Sequence, residues 1–313
     1  MYDAFPVYAE AFDAACGAFE GVGLGGLRGV MWSSEEVHQT RFAQAALFVH
    51  EVALVALLES WGVVADVVAG HSLGGLTAAY VAGVWSLGDA ARLIEARGRL
   101  MQALSSGGAM AAVEASEAEV REAFGGIDIA AVNGPRAVVV SGPEAEVEGV
   151  REYFRDRRSR RLSVSHAFHS VLMEPVLDAF REVVAGLECR PPLRRVISDA
   201  TGEVLTAEQA ADPDYWVGHV RGTVRFADVV ANADVTRFVE IGPDAALTPM
   251  VQQTLPEAVC FPLQRAGQDE QFTLLSRLGQ AYEDGLTVDW TALIPEAAPV
   301  DLPTYPFQHQ RYW

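Results

Sequence analysis

The chain has 313 residues, of which 50% are hydrophobic and 21% charged, so it can bury a large core as one large or two coupled domains. Its formal net charge of −19 argues against a nucleic-acid partner, because the average field of this surface would repel a polyanion. The three cysteines, Cys16, Cys189 and Cys260, are far apart and form no CxxC pair, which argues against a zinc site or a disulfide framework and favours a reducing, cytoplasmic setting.

Neither a membrane span nor a signal peptide is predicted. No apolar run approaches the roughly 18 residues that cross a bilayer, and the N-terminal MYDAFPVYAE lacks a basic region followed by an apolar one. We therefore expect a soluble intracellular protein without a membrane partner. A dense arginine cluster at 151–161 could receive an acidic partner or the phosphates of a cofactor, although a solvated helix end and loop is the more ordinary interpretation.

The first elements predicted along the chain are a helix, a strand, a sharp turn and a second helix. Residues 41–60 carry apolar residues at helical spacing, and residues 63–70 are a short β-branched run closed by glycine. The turn sequence GHSLG follows at 70–74, and residues 76–84 are rich in alanine and predict a helix. A GxSxG pattern between a strand and a helix is the context in which its serine acts as a nucleophile.

The pattern changes near residue 108. Residues 108–169 predict strand, helix, a two-stranded hairpin, helix and strand, which is the βαββαβ order of ferredoxin-like units. We expect this unit to interrupt a larger α/β-hydrolase-like catalytic body formed by residues 1–107 and 170–296. The last stretch, 297–313, is rich in proline and aromatic residues without periodicity and predicts an extended strap.

Ser72 is the candidate nucleophile. The glycines around it allow a tight turn that exposes the hydroxyl at a helix N-terminus, where the Leu73 N–H can face a developing oxyanion. A serine hydroxyl needs a base, and the chain has seven histidines. The residues alone do not choose among them, although His50 fits a helical apolar pattern and His71 points elsewhere on the turn. A structural turn without chemistry remains the alternative interpretation.

Further motifs resemble the acyltransferase domains of modular polyketide synthases. They are GHSLGG around Ser72, ARGRLMQAL around Arg97, the hairpin AAVNGPRAVVVSG, HAFHS at 166–170, FVEIGP at 238–243 and the terminal LPTYPFQHQRYW. The motifs occur in the family's order over essentially the whole chain, so the resemblance is specific.

The resemblance implies a Ser–His dyad. His169 would take the proton of Ser72 during attack on a coenzyme A thioester and return it to the departing thiolate. Ping-pong transfer would then load the phosphopantetheine thiol of an acyl carrier protein, with no bound cofactor or metal and with a ketosynthase and other synthase domains as neighbours. The family also orients its histidine with a backbone carbonyl from a segment that here has the sequence WVGHVRGTVRF, which puts His219 at that position.

The resemblance further implies a malonyl substrate. Arg97 follows Ser72 by 25 positions, the family's spacing for the arginine that clamps the free carboxylate of malonyl with two parallel hydrogen bonds. Considered alone, Arg97 would be a surface helix residue. Phe168 and Leu73 match the malonyl-selective type, and a bulky ring beside C2 would exclude a methyl branch by about 1–3 kcal/mol, although Phe168 also suits plain core packing. His166 and His71 complete the implied substrate-binding set.

One departure from the family lies at the start of the chain. Members begin with a core strand leading into a GQGxQ motif whose first Gln supplies a second oxyanion N–H, and no such motif precedes Phe5. We therefore expect an N-terminally shortened domain, and a missing oxyanion donor would cost about 2.7–4 kcal/mol of transition-state stabilisation.

Two rival functions stay open. A catalytically idle structural module of a megasynthase would carry the fold without the activity. A serine esterase would need an acidic residue and a late histidine in the order Ser, Asp/Glu, His, and the only histidine after His219 is His309, within the strap.

Overall fold

The computed structural model describes residues 1–105 and 107–294. Ser106 and residues 295–313 lie outside this range, and with them the strap expected at 297–313. Within the described residues, a large α/β body is interrupted by a smaller unit, which is the fold class that the sequence predicts.

The first part of the body is mostly helical and surrounds one buried helix. Its elements are α1 (Pro6–Gly21), α2 (Leu27–Ser33), a 3-10 turn (Glu35–His38), α3 (Thr40–Ser60), β1 (Val67–Ala69), α4 (Leu73–Val81) and α5 (Leu87–Gln102). α3 packs against α1 and α5. Its length and apolarity would suit a membrane span, but more than half of its apolar window is buried within the described structure. It is therefore the central helix of the core, apolar on most of its circumference for that reason.

The inserted unit is a four-stranded antiparallel sheet with two helices. Its elements are β2 (Gly108–Val113), α6 (Glu117–Ala123), β3 (Asp128–Gly134), β4 (Ala137–Pro143), α7 (Glu144–Tyr153) and β5 (Ser159–Arg161). The strand order is β3-β4-β2-β5 with every pair antiparallel, as a ferredoxin-like unit requires. A separate apolar cluster that includes Val140, Val147 and Phe154 fills the space between sheet and helices.

The body resumes after the insert and alternates helices with short strands. Its elements are a 3-10 turn (Val171–Met173), α8 (Glu174–Ala185), β6 (Arg195–Ile197), α9 (Ala207–Ala211), α10 (Pro213–Arg221), α11 (Phe226–Asn232), β7 (Arg237–Glu240), α12 (Thr248–Thr254), β8 (Val259–Pro262), α13 (Glu270–Glu283) and α14 (Trp290–Leu293). β1 pairs in parallel with β6, and β7 pairs in parallel with β8.

Two predicted boundaries near the turn are wrong. The strand expected at 63–70 is only three residues long, because β6 pairs with β1 over just those residues. The helix expected at 76–84 begins directly after Ser72 and ends earlier, since Gly83 adopts a left-handed φ of 86° that closes its last turn. The reactive turn is therefore tighter than the sequence indicates.

The insert and the body share a third apolar cluster. Val139 of the insert packs there with Val224 and Phe226 of the body. The Val224 N–H also donates to the Ala130 carbonyl at 2.8 Å, and the Val132 N–H donates to the Val224 carbonyl at 2.9 Å. Main-chain bonds inside an apolar contact fix the two units beside each other, and the catalytic candidates lie along this junction.

The arginine cluster at 151–161 is largely neutralised inside the insert. Five of its six arginines form ion pairs, namely Arg151 with Glu148, Arg155 with Glu152, Arg157 with Glu119, Arg158 with Glu114, and Arg161 with Glu144. The ordinary interpretation of a solvated helix end therefore describes this segment better than a docking site for an acidic partner.

Candidate active site

The turn that carries Ser72 is strained. Ser72 lies between β1 and α4 with φ 54° and ψ −108°, a conformation that costs a non-glycine residue about 1–3 kcal/mol and that the surroundings must hold. Gly70 is indispensable to it, because a Cβ there would overlap the backbone of Gly74. Gly74 itself has open space around it, whereas a Cβ on Gly75 would overlap the Asp199 carboxylate. The constrained glycines are therefore Gly70 and Gly75.

Ser72 and His169 are brought into contact across 97 positions of sequence. Ser72 Oγ lies 2.8 Å from His169 Nε2, and His169 Nδ1 lies 2.9 Å from the Gly222 carbonyl oxygen. Because a carbonyl can only accept, Nδ1 carries the proton and Nε2 presents its lone pair to the serine O–H. The imidazole is thus in the tautomer that a general base requires.

His169 is buried and neutral. It is 4% exposed and has a left-handed φ of 56°. The Ser141 hydroxyl donates to the carbonyl of the preceding Phe168 at 2.7 Å, which ties this strained segment to β4. Burial, and secondarily the nearby Arg97 guanidinium, lower the pKa of His169 to about 3. The base is consequently unprotonated at neutral pH.

Arg97 projects from α5 into the same place and is 4% exposed, so the interpretation of this arginine as a surface residue is wrong. Its Nη2 donates to Ser72 Oγ at 2.9 Å and its Nη1 donates to Gln44 Oε1 at 2.6 Å. Its Nε has no acceptor among the described residues. Burial lowers the pKa of Arg97 to about 10, which leaves the guanidinium charged at neutral pH.

The expected role of His219 in orienting the base is wrong in one respect. The carbonyl that accepts from His169 belongs to Gly222, three residues later. α10 ends at Arg221, and Gly222 follows it in an extended conformation, so its carbonyl lies outside the helical hydrogen-bond ladder and is free to accept. His219 enters the site by its side chain instead, with Nε2 at 2.9 Å from Asp199 Oδ1.

Among the described residues, the histidines His71 and His166 bond groups other than the side chains of Ser72 and His169. His71 Nε2 lies 2.9 Å from Asn133 Oδ1, and burial lowers the pKa of His71. His166 Nε2 bonds the Leu104 carbonyl at 3.0 Å, and its ring centroid lies 6.0 Å from that of the half-buried Phe168. No described residue accepts a hydrogen bond from the N–H of Leu73 at the start of α4.

Sequence reasoning missed two polar residues of the site, Gln44 and Asp199. Both are buried, and each contacts a predicted residue, Arg97 or Ser72. The only signal available was a glutamine within the apolar pattern of α3, and nothing in the sequence around Asp199 marked it. Among the described residues, no group of His, Cys, Asp and Glu is arranged to hold a metal ion.

Comparisons with known proteins agree with this geometry. The sequence profile of the acyl transferase domain matches residues 1–286. The chain is 50% identical, over its full length, to polyketide synthase GfsA of Streptomyces halstedii, and 47% identical to the phenolphthiocerol synthesis polyketide synthase type I Pks15/1 of Mycobacterium marinum. It spans only 4% and 16% of the length of these two relatives.

Solved structures have the same fold. The acyltransferase domain from the second module of the salinomycin polyketide synthase superposes with a TM-score of 0.89 at 51% identity, covering 98% of this chain and 75% of that one. FabD from Acinetobacter baumannii superposes with a TM-score of 0.78 at 26% identity, covering 89% and 92%. The chain therefore belongs to the acyl transferase domain family, among the acyltransferase domains of type I polyketide synthases.

Proposed function

We propose that this domain takes malonyl from coenzyme A onto Ser72 and passes it to the phosphopantetheine thiol of an acyl carrier protein. The observation that carries the proposal is the contact of Ser72 Oγ with both a neutral imidazole, His169, and a buried cation, Arg97. The first supplies a base for acyl transfer, and the second supplies a partner for an acyl group that ends in a carboxylate.

The chemistry proceeds in two balanced halves. Ser72 Oγ attacks the thioester carbon while His169 Nε2 takes the hydroxyl proton, and the tetrahedral oxyanion faces the N–H of Leu73 at the positive end of α4. The carbon–sulfur bond then breaks, and the coenzyme A thiolate leaves with the proton from His169. The carrier thiol enters by the reverse route, gives its proton to His169, and leaves as the malonyl thioester while Ser72 recovers its hydroxyl.

The preference for malonyl rests on two side chains. Arg97 donates to Gln44 Oε1, and its buried Nε has no acceptor among the described residues, so the guanidinium keeps donor capacity for the carboxylate that we propose it binds. Phe168 directly precedes His169, and its ring centroid lies 6.0 Å from that of His166. We propose that this ring limits the space beside C2 of the acyl group. We expect Phe168→Ala to raise acceptance of methylmalonyl relative to malonyl by about 10-fold or more in a competition assay.

The partners follow from the length of the relatives. Because the chain spans 4–20% of the polyketide synthases compared, an acyl carrier protein and a ketosynthase are proposed as neighbouring domains. The three cysteines are free thiols, which suits the cytoplasmic setting where coenzyme A thioesters are used.

Intact-mass spectrometry after mixing with malonyl-coenzyme A tests the proposal. The wild type should gain the mass of one malonyl group at Ser72, Ser72→Ala should gain nothing, and His169→Ala should acylate at least about a hundredfold more slowly. His166→Ala tests the other buried histidine of the same segment, whose Nε2 bonds the Leu104 carbonyl and not Ser72. An adduct on Ser72→Ala, or loss of acylation in His166→Ala but not in His169→Ala, would reject the assignment.

An idle module is the second candidate. One relative, 44% identical over the whole chain, is a putative inactive phenolphthiocerol synthesis polyketide synthase type I Pks1 of Mycobacterium tuberculosis. Absence of any adduct on the folded wild-type domain would favour this candidate. The same experiment therefore decides between the two.

A further inference from the structure

Asp199 lies directly beneath the nucleophile turn and is 2% exposed. Its Oδ2 accepts from the Ser72 N–H at 2.6 Å, and its Oδ1 lies 2.9 Å from His219 Nε2. No step of the proposed acyl transfer uses this carboxylate. We propose that Asp199 is a positioning residue, which sets the distance between Ser72 Oγ and His169 Nε2 by tying the nucleophile turn to the segment that holds the base. This inference rests on the proposed dyad.

The first tie is to the turn. Ser72 holds a backbone conformation that an L-residue avoids, and such a conformation persists only where its neighbours impose it. A hydrogen bond from the Ser72 N–H to a carboxylate is charge-assisted and roughly twice as strong as a neutral one. Gly75 lacks the side chain that would overlap Asp199 Oδ1, so the first turn of α4 is shaped around this carboxylate.

The second tie is to the base. The main-chain carbonyl of Asp199 accepts from the Arg225 N–H at 2.6 Å. Arg225 comes three residues after Gly222, whose own carbonyl lies 2.9 Å from His169 Nδ1. Asp199 therefore contacts the nucleophile through its side chain and the base-holding segment through its backbone. A shift of Asp199 would change the distance between the two reacting groups.

The charge of Asp199 is compensated within the site. Burial by itself would raise the pKa of Asp199, but His219, His71 and the Ser72 N–H lower it on balance. The carboxylate is therefore ionised at neutral pH. His219 holds the second oxygen and leaves Oδ2 directed at Ser72, so His219 fixes the orientation of the carboxylate.

The test measures the reactivity of Ser72 with a fluorophosphonate, which needs an activated serine but neither malonyl nor coenzyme A. Asp199→Asn keeps an oxygen for the Ser72 N–H and a polar partner for His219, whereas Asp199→Ala keeps neither. We expect Asn to label within about threefold of wild type and Ala at least about 30-fold more slowly. With malonyl-coenzyme A, Ala should lower kcat by a similar factor while KM changes less than about threefold.

Three further variants separate positioning from stability. Asp269 is an exposed N-cap that accepts from the Phe272 N–H at the start of α13, so Asp269→Ala removes a carboxylate–N–H bond elsewhere in the fold and should label normally. If Asp199→Ala does not fold, His219→Gln and His219→Leu replace it, because Gln keeps a donor to Asp199 Oδ1 and Leu does not. Leu should slow labelling at least about tenfold and Gln less than about threefold.

The outcomes are distinguishable. Wild-type labelling rates in folded Asp199→Ala, or equal slowing of the Asn and Ala variants, would overturn the positioning role. A wild type that reacts with the fluorophosphonate but never accepts malonyl would refute the proposed function and leave the role of Asp199 standing.

Discussion

In the proposed acyl transfer, the imidazole of His169 decides how the rate responds to acidity. Its pKa, lowered by burial to about 3, lies far below that of an exposed imidazole. Because the folded pKa is depressed, the reactive neutral form persists as pH falls and is lost only near pH 3. We expect kcat/KM for acylation to be flat from about pH 5 to pH 8.

Stopped-flow or quenched measurement of malonyl adduct formation across that range checks the expectation. An imidazole with an ordinary pKa near 6.5 would instead lose about 30-fold of its rate by pH 5. Such a decline in a sample that stays folded across the range would contradict the burial of the imidazole.

Arg97 should set the preference for malonyl over acetyl. Arg97→Ala should reduce transfer of malonyl more than transfer of acetyl by at least about tenfold, or about 1.4 kcal/mol, because only malonyl presents a carboxylate to the guanidinium. Arg99→Ala is the matched control, since Arg99 lies on the same helix with its side chain half-exposed and pairs with Glu95. Equal losses for the two acyl groups would contradict the proposed role of Arg97 in binding the malonyl carboxylate.

Single residues were predictable from the sequence to different degrees. Ser72 was indicated by its turn motif, whereas His169 and Arg97 needed the family resemblance, because nothing local distinguishes one histidine or arginine from another. Asp199 was indicated neither by a local motif nor by the resemblance, because its role depends on a contact with Ser72, which lies 127 positions earlier in the sequence. The role of the Gly222 carbonyl was misassigned to His219 because the resemblance placed it by position in a motif, whereas the carbonyl that is free to accept depends on where α10 ends.

In the strand-to-helix turn, Gly70 and Gly74 differ in the space available for a side chain. Gly70→Ala should destabilise the domain by about 3 kcal/mol or more, because the new Cβ would overlap the Gly74 backbone. Gly74→Ala should change stability by no more than about 1 kcal/mol and in the favourable direction, since it lies in α4 with open space around it. Urea unfolding of both variants measures the difference. Similar costs at the two positions would contradict the geometry of the turn.

The elements themselves were predictable where a periodic pattern was long. α3 and the first five elements of the insert carry such patterns, and the structure has them where they were expected. The last strand of the insert, β5, ends at Arg161, although the strand pattern was expected to continue towards residue 169. β1 has only three residues paired with one neighbour, so its length depends on a partner that the local sequence does not specify. The start of α4 was missed for a similar reason, because the strained conformation of Ser72 is imposed by tertiary contacts.

At the scale of the whole molecule, the insert and the body should unfold together. They share an apolar cluster in which Val139 meets Val224 and Phe226, and main-chain bonds join Val224 to β3. The arginine Arg225 also pairs across the junction with Glu117 of α6. We expect the slowest amides of peptides 128–143 and 67–82 to exchange through an opening reaction of the same free energy, because the two units would unfold as one cooperative unit.

The Phe226→Ala variant tests directly whether the insert and the body unfold together, because Phe226 lies in the apolar cluster that they share. It should lower the free energy of unfolding by about 3–5 kcal/mol for a buried aromatic side chain, and both peptides should lose protection equally. Phe154→Ala, within the insert's own cluster, is the comparison. Protection lost in the insert alone for Phe226→Ala would show that the two units are not coupled.

The coupling matters for function because the site is divided between the units. Ser72, Arg97 and Gly222 belong to the body, while Asn133 holds His71 from the insert and Ser141 holds the segment before His169. A βαββαβ pattern could be recognised locally, but the junction that assembles the dyad could not, since it consists entirely of long-range contacts.

The central claim is that Ser72 forms an acyl-enzyme that a thiol, not water, resolves. His169 is oriented by a backbone carbonyl and not by a carboxylate, which distinguishes this dyad from the triad that an esterase requires. The most direct measurement isolates the malonylated domain and follows its decay by intact mass, with and without a phosphopantetheine-bearing carrier protein. We expect decay at least about a hundredfold faster with the carrier and equal gain of malonyl by the carrier thiol. Equally fast decay in water alone, with free malonate as the product, would contradict the account.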